Sequence, residues 1–144
     1  MAFRRKSFFT ILAIILVLSM SFFLGRLLLP KESKEEITLQ LYAVTETETA
    51  EAFALGDPLH DGVSKESLGR ITALRLEARL VETKNGLYLS QSQSRLYITL
   101  TLEAERRGEC YYIGQTPLVI GQALSLHGRG ACLAYCLAIL PKNG

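Results

Sequence analysis

Leu68-Gly-Arg-Ile-Thr-Ala-Leu-Arg-Leu-Glu-Ala-Arg-Leu-Val-Glu82 is the stretch on which the fold turns. Its Leu, Ala, Arg and Glu are good helix formers. Leu68, Ile71, Leu74, Ala78 and Val81 fall on one helical face. The same residues also read as a strand. Ile71 and Ala73 then point inward, the phase slips at Leu74, and Leu76, Ala78 and Leu80 point inward again, the slip being a β-bulge. Periodicity does not arbitrate. Lys84-Asn-Gly86 does not either, since Asn-Gly both turns hairpins and ends helices.

The flanks are clearer. From Arg95 to Ala104, Leu96, Ile98, Leu100, Leu102 and Ala104 alternate with Tyr97, Thr99, Thr101 and Glu103, the pattern of a half-buried strand. Ile37 to Ala43 alternates in the same way. Thr45-Glu-Thr-Glu48 has capping-box spacing, and good helix formers run to Leu55 with Gly56 as a C′ residue, so a short helix is expected over Glu46–Leu55. Gly56 to Gly62 is turn-rich, with room for a very short strand near Leu59. Arg106 to Glu109 reads as a turn. Cys110–Ile113, Leu118–Ile120 and Ala123–Leu126 are short β-type runs punctuated by Gly114, Pro117, Gly121 and Gly128. Ala131–Leu140 is apolar throughout and reads as a fully buried last strand or short helix. Short strands separated by Gly-marked turns point to a small closed or partly closed barrel.

The chain has 144 residues, 49% apolar and 21% charged, which excludes a disordered or polytopic membrane protein. Four of the sixteen basic residues precede Pro30 and all fourteen acidic ones follow it, so the part beyond Pro30 is acidic by two charges. No basic surface for nucleic acid is implied. Ser7 to Gly25 holds no charge, and a helix of that length covers roughly 28 Å, close to the hydrocarbon thickness. Leu27 to Leu29 extend it past Arg26, whose long stem can snorkel. Arg4, Arg5 and Lys6 precede the run, which places the N-terminus in the cytoplasm and everything beyond Pro30 outside. The competing reading is a cleaved signal peptide. Ser19 and Ser21 are the only small pair suitably spaced for cleavage, with bulky Phe22, Phe23 and Leu24 just after, so an uncleaved signal anchor is preferred.

The order of these features resembles the uncharacterised bacterial family catalogued as domain of unknown function 4330. The features are a basic tip, one span, an alternating strand, a short helix ending in Gly56-Asp57, then Leu68-Gly69-Arg70-Ile71, a Thr-rich strand at Tyr97–Leu102, Ile120-Gly121-Gln-Ala-Leu124 and a short terminal run. The likeness covers nearly the whole chain. It implies a strand for the stretch after Leu68-Gly69, against that stretch's own propensity, and it implies no activity, cofactor or catalytic residue. Over about twenty residues, Gly56-Asp-Pro-Leu-His-Asp61 with Leu68 to Leu74 also looks like the opening of the MCE lipid-transport domains. Those are single-span proteins with a small extracytoplasmic β-barrel.

Chemistry is sparse. Ser64, His60 and Asp57 or Asp61 make a triad on paper, but Ser, His and Asp crowded into one turn are also what a turn is made of, and no nucleophile elbow exists. Gly128-Arg-Gly130 beside His127 is a basic loop without the strand–loop–helix context of phosphate sites. Glu103, Glu105 and Glu109 read as solvated. Tyr97, Tyr111 and Tyr112 are either interface residues or barrel core. Cys110, Cys132 and Cys136 lack zinc spacing, and the last two read as small buried hydrophobes, with a bridge from Cys110 left open.

The expectation is a mainly β chain: a transmembrane helix followed by a small β-barrel-like domain with one short helix. Residues 1–30 are the basic tip and signal anchor, 31–36 a charged spacer, and 37–144 the extracytoplasmic domain. The span is Ser7–Leu29 in the cell membrane. The expected role is a non-enzymatic interaction or scaffolding module in envelope or surface-polysaccharide assembly, with an envelope protein or a lipid as partner. No nucleic acid, cofactor, metal or catalytic residue is expected. The alternative is an MCE-like lipid-handling barrel subunit.

Overall fold

The computed structural model describes residues 13–25 and 33–142. The chain divides into two units, one up to Glu32 and one from Ser33 onward, and each is described by itself.

In the first unit residues 13–25 form helix α1. Ile14 to Leu18, Met20 and Phe22 to Leu24 are exposed around its whole circumference. Its two serines turn their hydroxyls inward along the chain: Ser19 donates to the Leu16 carbonyl at 2.9 Å and Ser21 to the Val17 carbonyl at 2.8 Å. Among the described residues no helix is long and apolar enough to cross a membrane. The rest of the expected span, residues 7–12 and 26–29, lies outside the described residues, as does the basic tip.

The second unit is a single antiparallel sheet. Its strands are β1 (Ser33–Glu46), β2 (Pro58–Asp61), β3 (Ser67–Thr83), β4 (Gly86–Arg107), β5 (Cys110–Ile113), β6 (Thr116–Pro117), β7 (Ala123–His127) and β8 (Ala131–Pro141), with helix α2 (Thr47–Glu51) after β1. The spatial order is β1-β8-β7-β2-β3-β4-β5-β6, and β1 also pairs with β4. That extra pairing closes β1, β8, β7, β2, β3 and β4 into a six-stranded ring, with β5 and β6 as a flap on β4. Closure leaves one inside and one outside, so β1, β2, β7, β8 and the part of β4 inside the ring bury alternate residues.

The inside is filled. Ile37, Leu39, Leu41, Leu59, Leu96, Ile98, Leu100 and Leu126 are all at most 1% exposed, and Ala134 and Cys136 complete the β8 wall. Burying a leucine or isoleucine side chain contributes about 1.5–3 kcal/mol, which makes this cluster the main source of stability. Ala50 of α2 and Phe53 just beyond it join the core.

Local propensity loses in β3. The pairing to β4 runs from Arg70↔Thr101 to Thr83↔Gly86, and it overrides the helical preference because Ile71 and its neighbours can be buried only as strand. The bulge falls at Thr72, between Ile71 and Ala73, two positions before the expected slip. Ala73 is accordingly exposed and Leu74 half-buried. A second irregularity sets Arg79 alone against Ser90 to Gln93 of β4.

Other expectations change with tertiary context. The spacer is strand from Ser33, because Ser33 to Glu36 pair with Arg106 to Glu103 and the charges face water or one another, as in Lys142–Glu36 at 2.8 Å. The short helix is only Thr47–Glu51, and its N-cap Glu46 makes no side-chain cap bond. Thr47 instead shares a hydrogen bond with the buried Ser94 of β4 at 2.9 Å. Leu118–Ile120 is not strand. β8 is not buried throughout: Leu133, Tyr135 and Leu137 face out because a barrel wall has a wet side.

Candidate functional site

β3 and β4 outlast the barrel. β1 ends its pairing with β4 at Glu46↔Gln93, while β3 and β4 continue to Thr83↔Gly86 around Lys84 and Asn85. At about 3.3 Å per residue, this two-stranded arm projects roughly 20 Å past the barrel. The arm leaves from the end opposite Ser33, which lies beside Arg106 at the other end of β4.

The arm is apolar on both faces. Leu80 pairs with Leu89, and Val81 with Tyr88. Leu87 is 67% exposed, Leu89 64%, Tyr88 53%, Leu80 49% and Val81 37%. Water-facing ribbons normally keep one face polar, so five large apolar groups on one tip make the arm the candidate site. The sequence carried a signal for it. Apolar residues at consecutive positions on both sides of Asn85-Gly86 leave a hairpin no polar face, whereas reading Leu80 as inward-facing assumed a barrel long enough to cover it.

A row on the outer wall braces the base of the arm. Tyr135, Tyr42, Tyr97 and Arg75 are register partners across β8, β1, β4 and β3. The Tyr42 and Tyr97 rings are 5.1 Å apart and tilted by 48°. The Arg75 guanidinium lies 4.4 Å over the Tyr97 ring, a cation–π contact, and also pairs with Glu77 at 3.2 Å. Beside the row is a shallow groove of about 270 Å³ bordered by Gln40, Thr99 and Leu137. Tyr97 is thus a wall residue outside the core. Tyr111 donates to Glu35 at 3.1 Å, and Tyr112 carries Arg107 4.7 Å above its ring. Glu105 pairs with Arg107 at 2.7 Å.

The residues of the paper triad do not assemble one. The Ser64 hydroxyl donates directly to Asp61 at 2.7 Å, and the Ser64 and Val63 amides donate to the same carboxylate. His60 is an exposed register partner of His127 across β2 and β7. Asp57 accepts from the Ala54 amide at 3.1 Å and pairs with Arg129 at 3.1 Å, so the Gly128-Arg-Gly130 loop ties β7–β8 to the turn after α2.

Burial pushes the Asp61 carboxyl up, but bonds from the Ser64 hydroxyl and from the Ser64, Val63 and Ser125 backbone outweigh it and hold it below the ordinary aspartate value. A lowered folded pKa stabilises above the unfolded value, about pH 4, and that stabilisation is lost as pH falls through the folded one. Denaturant melts from pH 6 to pH 2 are therefore expected to show wild type losing its advantage over Asp61→Asn only below about pH 4.

The cysteines are all free: Cys110 is exposed, Cys132 half-buried and Cys136 buried. Burial pushes the Cys132 thiol up to about 11 and raises that of Cys136, so both stay protonated and inert at neutral pH. Among the described residues no three His, Cys, Asp or Glu side chains are grouped to hold a metal ion.

Compared with protein-family models, with curated proteins and with solved structures, the chain matches none.

Proposed function

We propose that this chain is a membrane-tethered, non-enzymatic interaction module. The filled barrel serves as a rigid mount, and the β3–β4 arm offers its apolar tip to an envelope partner. The observation that carries this is the tip itself: five large apolar side chains exposed on both faces of a ribbon held by only two strands. A two-stranded hairpin alone is marginal in water, so such a tip gains most when something covers it.

The tether is read from the uncharged run Ser7–Gly25 and the basic residues before it. Support comes from α1, apolar on every side and with its serine hydroxyls satisfied within the helix, the arrangement a lipid environment demands. In this reading the N-terminus is cytoplasmic and the barrel extracytoplasmic. Within the second unit β1 begins at the barrel end opposite the arm, so the tip is free of the strand that starts the domain. Membership of the domain of unknown function 4330 family belongs to the same proposal.

A second reading, MCE-like lipid handling, draws on the same apolar tip. With the barrel interior filled by side chains, lipid would have to travel along the outside of the barrel. Photo-crosslinking separates the two. A photoreactive phenylalanine in place of Tyr88, in the full-length chain in cells, is expected to give one discrete protein adduct, while the same group at the exposed Val63 gives none. Lipid adducts alone would move the assignment to lipid handling, and absence of any adduct, or turnover of an envelope substrate by the purified chain, would overturn the module.

A further inference from the structure

β3 has one edge paired to β4 from Arg70 to Thr83, apart from Thr72 and Arg79, and another that is covered only at its start. On that second side β2 pairs with Ser67 to Arg70, and the Ile71 backbone exchanges hydrogen bonds with Gly56 and Asp57. Past the Thr72 bulge, among the described residues, no strand pairs there. The edge from Ala73 to Thr83 is therefore a row of main-chain donors and acceptors open to another strand.

The side chains along that edge are self-complementary. In an antiparallel pairing of β3 with a second β3, residues equally far from the centre face each other. The middle residue of the open edge is Ala78, which is small and exposed. About that centre Glu77 faces the second copy's Arg79 and Arg79 faces its Glu77, giving two ion pairs on one face. On the other face Leu76 meets Leu80 twice across the two-fold axis. Opposite charges and apolar pairs placed directly across strands are the pairs that stabilise a sheet. The edge also has the right length: with Ala78 at the centre, Thr83 of one copy reaches Ala73 of the other, just short of where β2 takes over. β3 runs straight through this segment, since the additional residues at the second irregularity, Ser90 to Gln93, belong to β4.

We propose that the chain forms a two-fold homodimer by antiparallel pairing of the open β3 edges about Ala78. The product is a four-stranded ribbon, β4-β3-β3-β4, which removes the exposed edge and covers Leu76 and Leu80. The dimer covers Leu80 of the tip but leaves Leu87, Tyr88 and Leu89 of β4 open to a partner.

The test is sedimentation and light scattering of the full-length chain in mild detergent. A dimer is expected. Glu77→Arg and Arg79→Glu each set two like-charge pairs across the axis and are expected to weaken the dimer by about tenfold or more. The double variant restores opposite charges and is expected to return to within about threefold of wild type. Ala78→Cys in a Cys110→Ser background is expected to form a disulfide-linked dimer on mild oxidation, whereas Val63→Cys in the same background gives no disulfide-linked species. A monomeric wild type, a dimer that neither reversal weakens, a double variant that fails to recover, or an Ala78→Cys chain that does not crosslink would each overturn the pairing.

Discussion

Gly69→Ala is expected to lower the melting temperature of the barrel by about 12 °C or more, a loss of about 3 kcal/mol or more. Gly69 has φ +86°, a left-handed backbone that costs a side-chain-bearing residue about 1–2 kcal/mol. A Cβ there would also fall on the carbonyl oxygen of Thr101 and lie 2.8 Å from Leu102 Cβ. That carbonyl is backbone of β4, which is held by pairing to both β1 and β3, and cannot swing aside as a flexible side-chain end does. Crowding of this kind adds about 1–3 kcal/mol. Gly56→Ala is the matched control: its φ is +82°, but nothing lies within 4 Å of the added Cβ. It is expected to show only the backbone penalty. Thermal melts of both variants check the difference, and equal losses would mean that the approach of β3 to β4 at Thr101 is looser than described.

Leu87→Asp combined with Leu89→Asp is expected to abolish the adduct formed from the Tyr88 position while leaving the melting temperature within about 2 °C of wild type. Both leucines are about two-thirds exposed and lie beyond the barrel, so the folded domain loses little when they become polar. A partner that covers them loses much more. Full burial of each side chain is worth about 1.5–3 kcal/mol, so the pair corresponds to a loss of affinity of a hundredfold or more. The two readouts must separate. A large fall in melting temperature would make the leucines structural, and an unchanged adduct would place the partner's footprint away from the tip. The dimer, which uses β3, is expected to persist in this variant.

Where one face of a strand is buried along its whole length, local alternation was enough to read it. Leu96, Ile98, Leu100, Leu102 and Ala104 are all at most 5% exposed, as their alternation with polar residues implied, and Ile37 to Ala43 behave alike. Cys132 and Cys136 turn inward with Ala134, as apolar flanks suggested. β3 was different, because its own residues favour a helix and only the burial of Leu68 and Ile71 in the core, with the pairing to β4, makes it strand. Its bulge falls at Thr72 rather than at Leu74, which turns Ala73 outward. Leu76 and Ala78 lie on the core side, opposite the buried Leu96 and Ser94, yet are exposed with Leu80 where the barrel wall gives way to the arm. The candidate site was only half legible: apolar residues flank Asn85-Gly86 in the sequence, but a strand's sequence does not say where its neighbour stops. Leu80, Val81, Leu87, Tyr88 and Leu89 are exposed because β1 ends at Glu46, a fact written far from them in the chain. The row of Tyr135, Tyr42, Tyr97 and Arg75 likewise comes from the registers of three separate pairings.

The sequence by itself determined the mainly β composition, the inward faces of β1 and β4 and an uncharged N-terminal run of membrane length, since each depends on residues close together in the chain. Asn85-Gly86 was compatible with a hairpin or a helix end, and the pairing of β3 with β4 decided for the hairpin. Only the tertiary structure decided the closure of the ring through β1 and β4, the filled interior, the arm and the open β3 edge. Those follow from which strands meet and where each pairing ends, and such long-range matches are set by total burial and register rather than by any local pattern.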